Sequence, residues 1–183
     1  MQRLYVLAVG ALLASSAFGA MKLDDGDFVT RYNTAVRTTN GEVIKGIQKV
    51  KGDGEAIFAS QEFDMRRERY ARRGLVSPAV KRKTKLSMIR RDDGTLIGFS
   101  VVGTRSDPVN ELDFLYVVTS LDSLLRPTAS LDDVQAFTGK LKLLRDASDS
   151  TLGQPATSDN GAAIFICDTR PKGDVACMIS VKD

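Results

Sequence analysis

In Leu112-Asp113-Phe114-Leu115-Tyr116-Val117-Val118-Thr119-Ser120-Leu121-Asp122-Ser123-Leu124-Leu125 the apolar residues return with a helical period. Leu112, Leu115, Val118, Leu121 and Leu125 form one stripe, and Phe114, Val117 and Leu124 widen it. Asp107-Pro108 supplies a start, with a carboxylate to cap free N–H groups and a proline in the first turn, where no donor is missed. Arg126-Pro127 supplies the end, because proline disfavours helical geometry in the residue before it. A helix this apolar needs cover on more than one side, so the remaining elements should pack around it.

Downstream, Ser130-Leu131-Asp132-Asp133 reads as a capping signature for a second helix through about Arg145, with Leu131, Val134, Phe137, Leu141 and Leu144 as its stripe. The short connection from Arg126 to Ser130 makes the two helices neighbours. Residues 146–161, rich in Ser, Thr, Asp, Gly and Pro, read as a surface loop. The chain closes on two apolar runs, 162–167 and 177–181, with Pro171-Lys172-Gly173 between them. If Cys167 faces Cys177 in a hairpin, then residue 165 faces 179 and 163 faces 181. That register puts Ala163, Phe165, Ile179 and Val181 on the bridged face, and Ile164, Ile166, Met178 and Ser180 on the other.

Upstream, Lys85–Arg91 and Thr95–Val102 flank Asp92-Asp93-Gly94, a strong hairpin signal. Gly98-Phe99-Ser100 opens like a nucleophile elbow, but the closing glycine comes one place too late, and Ser100 reads as a strand serine. Phe28, Tyr32 and Val36 predict an amphipathic helix over 28–38, with Asp27 as its cap. The aspartates at 24, 25 and 27 lack the spacing of a calcium loop and suit helix capping better. Residues 42–54 carry a weak helical pattern broken by Gly46, and Gly52-Asp53-Gly54 is a turn. Ile57, Ala59, Phe63 and Met65 alternate, which predicts a half-buried strand. Runs of strands and runs of helices indicate an α+β fold. We expect an antiparallel sheet of about five strands, with the helix pair and the N-terminal helix packed on one face.

The first twenty residues have the form of a secretory signal peptide: Arg3, an apolar core from Leu4 to Ala14, then small residues up to Ala20. That core is shorter than a membrane-spanning helix requires. Residues 1–20 are therefore expected to be a leader and 21–183 a single domain, exported to the periplasm or the medium. In such a compartment Cys167 and Cys177 are expected to be bridged.

Charge is distributed unevenly. Without Arg3 the mature chain has 25 Lys and Arg against 23 Asp and Glu, a net charge of +2. Residues 66–91 contain eleven positive charges against Glu68 alone, so this segment carries +10 and the rest −8. Arg66, Arg67, Arg69, Arg72, Arg73, Lys81, Arg82 and Lys83 are candidate contacts for an anionic partner, either a polymer or lipid headgroups. Nucleic acid fits poorly, since Tyr70 alone interleaves the cations and no stacking platform results.

The chain has no histidine, which removes the commonest general base and the commonest zinc ligand. It has no Ser-x-x-Lys, no glycine-rich phosphate loop and no Cys-x-x-Cys. No catalytic residue, metal site or cofactor is assigned. The expectation is a non-enzymatic binding protein with a protein partner, such as an inhibitor, an immunity factor or an envelope accessory protein. A binder of anionic surfaces through 66–91 is the alternative. A carboxylate-dependent hydrolase is the second alternative, and the lack of tryptophan leaves it little sugar platform.

Overall fold

Helix α1 (Asp25–Thr39) lays Phe28, Tyr32 and Val36 into the core at the spacing the sequence predicts. The structure, a computed structural model, describes residues 23–39, 41–50, 53–143 and 153–182, with backbone alone at 38, 39 and 53. The expected leader and its expected cleavage site, Leu144, Arg145 and the first part of the stretch read as a loop over 146–161 lie outside the described residues. The helix starts earlier than expected, and its cap is Asp24 rather than Asp27. Asp24 Oδ1 accepts the Asp27 N–H at 2.8 Å.

Two further strands follow in place of the expected helical pattern: β1 (Ile44–Val50) and β2 (Asp53–Phe58), paired antiparallel. The misreading has a physical cause. The register shifts between Ile44 and Gly46, so Ile44 pairs with Phe58 while Ile47 pairs with Ala56. One extra residue puts Ile44 and Ile47, three apart, on the same face, and a bulged strand then imitates a helical period.

The expected strand through Met65 is also corrected. β2 stops at Phe58, and Ala59, in extended conformation, precedes helix α2 (Ser60–Arg72). Phe63 is buried, but Met65 is 54% exposed, so the alternation is accidental. Glu, Gln, Met, Arg and Ala dominate this stretch and favour helix. Its second buried position is Arg66, a cation, which hides the apolar stripe.

The central hairpin is as expected: β3 (Lys85–Arg90) and β4 (Leu96–Thr104) around Gly94, whose φ of 81° requires glycine. Helix α3 (Pro108–Leu125) has its predicted ends. Asp107 accepts the Asn110 N–H at 2.9 Å, and Pro108 occupies the first turn. Its buried face is centred on Phe114, Val117, Val118, Leu121, Leu124 and Leu125, while Leu112 and Leu115 are only half-buried. Helix α4 (Leu131–Lys140) carries the expected cap, a reciprocal Ser130–Asp133 pair. It ends before Arg145, and Leu131 stays exposed.

Strand β5 (Ala156–Asp159) lies within the stretch read as loop, and β6 (Ala163–Cys167) and β7 (Asp174–Val181) form the terminal hairpin. The register matches the expectation residue for residue: Ala163 with Val181, Phe165 with Ile179, Cys167 with Cys177. The two cysteines stand at disulfide distance, Cα atoms 4.0 Å apart and both fully buried.

The architecture is thus α+β. Among the described residues seven antiparallel strands form one sheet in the order β1-β2-β3-β4-β7-β6-β5, against about five expected. The helix–sheet contacts share one face. Phe28 of α1 meets Phe99 of β4 at 5.4 Å, Tyr32 meets Phe58 at 6.1 Å, and Phe137 of α4 meets Phe165 of β6 at 4.9 Å. Phe114 of α3 lies so close to Gly103 that a Cβ there would stand 2.8 Å from its ring. Burying a side chain such as Phe28 contributes roughly 1.5–3 kcal/mol. No helix among the described residues is long and apolar enough to cross a membrane.

Candidate functional site

The basic segment does not form one exposed surface. Arg66 on α2 and Arg82 in the α2–β3 connection turn inward and meet two carboxylates, Glu42 and Asp113. Arg66 Nη2 donates to Glu42 Oε1 at 3.0 Å and to Asp113 Oδ1 at 3.3 Å. Arg82 Nη2 donates to Asp113 Oδ1 at 3.1 Å and forms a second ion pair with Glu42. Two cations and two anions make the cluster electroneutral, the condition under which charge is tolerated in a core. Aromatic faces complete it: Tyr116 under Arg66 at 5.0 Å, Phe58 and Phe63 under Arg82 at 4.7 and 5.0 Å. Burial pushes the Arg82 guanidinium below its ordinary pKa, and Asp113 opposes the shift. Burial likewise raises the neighbouring Tyr32 phenol, which stays neutral.

The rest of the connection is pinned to α3 through its backbone. Asn110 Oδ1 accepts the Lys83 N–H at 2.8 Å, and Asn110 Nδ2 donates to the Lys81 carbonyl at 3.0 Å. On the surface of α2, Arg67 pairs with Asp64 at 3.6 Å and Arg72 with Glu68 at 3.4 Å. Arg69, Arg73, Lys81 and Lys83 are exposed and make no ion pair among the described residues. Half of the eight candidate cations are therefore matched by carboxylates of the same chain. Arg66 and Arg82 belong to the core rather than to a binding surface.

Glu42 and Asp113 are functional-looking acids that sequence reading missed. Each is sealed, with 0% and 1% of its side chain exposed, and each is held between two guanidiniums. Such carboxylates are occupied by their guanidinium partners and out of a substrate's reach, which suits a structural cross-link better than acid–base chemistry.

A cleft of about 680 Å3 opens between the start of α1, the β1–β2 hairpin and the β3–β4 turn. Arg90 crosses it, donating to Asp25 Oδ1 at 2.6 Å and to the carbonyls of Leu23 and Gly94 at 3.1 and 3.2 Å. Two further acids of its rim are engaged locally: Asp24 caps α1, and Asp93 Oδ1 accepts the Thr95 N–H at 2.9 Å. No group of three or more His, Cys, Asp or Glu among the described residues is placed to hold a metal ion.

The most unusual surface is the sheet face turned away from the helices. Strand pairing aligns its side chains in rows. One row runs Ile166, Met178, Ser100, Ser87, Glu55 across β6, β7, β4, β3 and β2. A second runs Ile164, Ser180, Gly98, Ile89, and a third begins Ala176, Val102, Lys85. The sequence already placed Ile164, Ile166, Met178 and Ser180 on this side, and the structure extends the face across β4 and β3. A solvated face of an antiparallel sheet ordinarily alternates to polar residues. Here the central strands offer Ile, Met, Val, Ala and Ser. The charges present in these rows, Lys85 and Glu55, pair with each other at 3.3 Å. Asp159 and Lys182 form another pair at the β5–β6 side.

The fold and this face define an antiparallel α+β domain with a one-sided helical layer. Comparison with protein-family models, curated proteins and solved structures finds no match to the chain.

Proposed function

We propose that the chain is an exported, non-enzymatic binding protein that recognises a protein partner through the open face of its sheet. The observation that carries the reading is the depletion of charge at the centre of that face, around Ser100 and Met178. Loss of charged residues from the centre, with ionic pairs kept to the margin, is the compositional signature of a protein interface. The buried cysteine pair supports an oxidising compartment, and the leader-like first twenty residues support export. Arg69, Arg73, Lys81 and Lys83 support a second reading, contact with an anionic surface, because these exposed cations lack carboxylate partners among the described residues.

Gel filtration of fresh extracts from producing cells separates the two. The wild-type chain should elute above its monomer size. Met178→Lys should shift it to the monomer position, whereas joint replacement of the four cations by Ala should not. If the cation variant or added salt dissolves the complex and Met178→Lys leaves it intact, the second reading replaces the first.

A further inference from the structure

We infer that the open sheet face takes a second copy of this chain, packed face to face about a twofold axis; this rests on the protein-binding reading above. The argument is steric. Place a twofold axis parallel to the strands over the β7–β4 boundary. It sets β7 of one copy over β4 of the other, and β6 over β3, without moving any residue along the strand direction. In the first row Met178 then meets Ser100, and Ile166 meets Ser87. In the others Ser180 meets Gly98 and Ala176 meets Val102. In the first row large residues fall on small ones, as interdigitated sheets require, while the second sets Ser180 on Gly98 and Ile164 on Ile89, and the twofold repeats every contact.

Charge permits the same burial. Lys85 and Glu55 are paired within the chain, so closing these three rows strands no lone ion. The sheet edges are poorer contacts: β1 presents the exposed Lys45 and Lys49, and β5 is four residues long. Five strands about 4.8 Å apart and five residues about 3.4 Å apart give a footprint of about 24 by 17 Å. That is about 410 Å2 of flat area per partner, well below the roughly 800 Å2 of a standard interface. The dimer should therefore be reversible, dissociating on dilution.

Sedimentation velocity on the mature, oxidised protein tests this, over low micromolar to millimolar concentration. The wild-type chain should pass from monomer to dimer. Ser100→Asp and Met178→Lys should each weaken self-association at least tenfold while keeping the wild-type circular dichroism. Mixed in equal amounts, the two variants should associate again. A mixed dimer sets the introduced carboxylate at position 100 against the introduced ammonium at position 178 on one side, and keeps the native contact on the other. If either variant fails to fold, crosslinking of wild-type chains should join residues of β7 in one copy to residues of β4 in the other. A wild-type protein that stays monomeric throughout overturns the inference, as does a dimer that both variants leave unchanged or a mixture that does not associate. A monomer whose Met178→Lys variant still loses a larger complex in cell extracts refutes self-pairing and leaves the binding face standing. Loss of neither dimer nor complex refutes both.

Discussion

Arg82 reaches Asp113 across thirty-one residues of chain, its Nη2 3.1 Å from Asp113 Oδ1, and so ties the α2–β3 connection to the second turn of helix α3. Arg66 reaches the same oxygen from α2. A residue run that looks like a ligand-binding surface in the sequence is, at these two positions, part of what holds the helical layer together.

Removing one member of this cluster leaves an uncompensated buried charge. Arg66→Ala and Asp113→Ala should each cost roughly 3–5 kcal/mol in urea unfolding. Arg69→Ala, on the exposed side of the same helix, should stay within about 0.5 kcal/mol. Equal costs at positions 66 and 69 would show that the cluster is not a cross-link.

The core face of α3 makes a second prediction. Leu121 is fully buried, so Leu121→Ala should cost roughly 2–5 kcal/mol. Leu115, half-buried at the edge of the stripe, should cost clearly less on the same substitution. Thermal unfolding of the two variants side by side reads the order directly.

Cap chemistry fixes a pH dependence. The Ser130 hydroxyl and backbone N–H hold the Asp133 carboxyl below the usual carboxylate range. A folded pKa below the unfolded one means the cap stabilises fully above the unfolded value of about 3.9 and is lost as pH falls through the folded value. In an NMR titration Asp133 should protonate below an ordinary aspartate, and Ser130→Ala should move its pKa back up. An unchanged pKa in the variant would contradict the cap.

The terminal hairpin yields a fourth. Unreduced protein purified from its native compartment should resist alkylation at Cys167 and Cys177, and intact mass should show loss of about the first twenty residues. The closed loop is short, so reduction should cost at most about 3 kcal/mol. Two alkylated cysteines without reductant would refute the bridge.

What the sequence shows here depends on range. The caps of α3 and α4, the turn at Gly94 and the register of Cys167 with Cys177 follow from residues near one another, and all were legible. β1 was not, because a bulge at Lys45 gives its inward residues a three-residue spacing. α2 was not, because one of its core positions is Arg66, whose partners Glu42 and Asp113 lie 24 and 47 residues away. The candidate binding face was half legible: the hairpin register placed Ile166 and Met178 on it. Ser100 and Ser87 joined them only through the pairing of β7 with β4 and of β4 with β3, which no local pattern specifies.

A photo-crosslinking residue at position 100, at the centre of the open face, tests the central claim most directly when activated in cells that make the protein. A binding face predicts a discrete protein adduct from position 100 that survives high salt and is lost in the Met178→Lys background, with none from a crosslinker at position 69. No adduct from position 100, or a salt-sensitive one from position 69 alone, would contradict it.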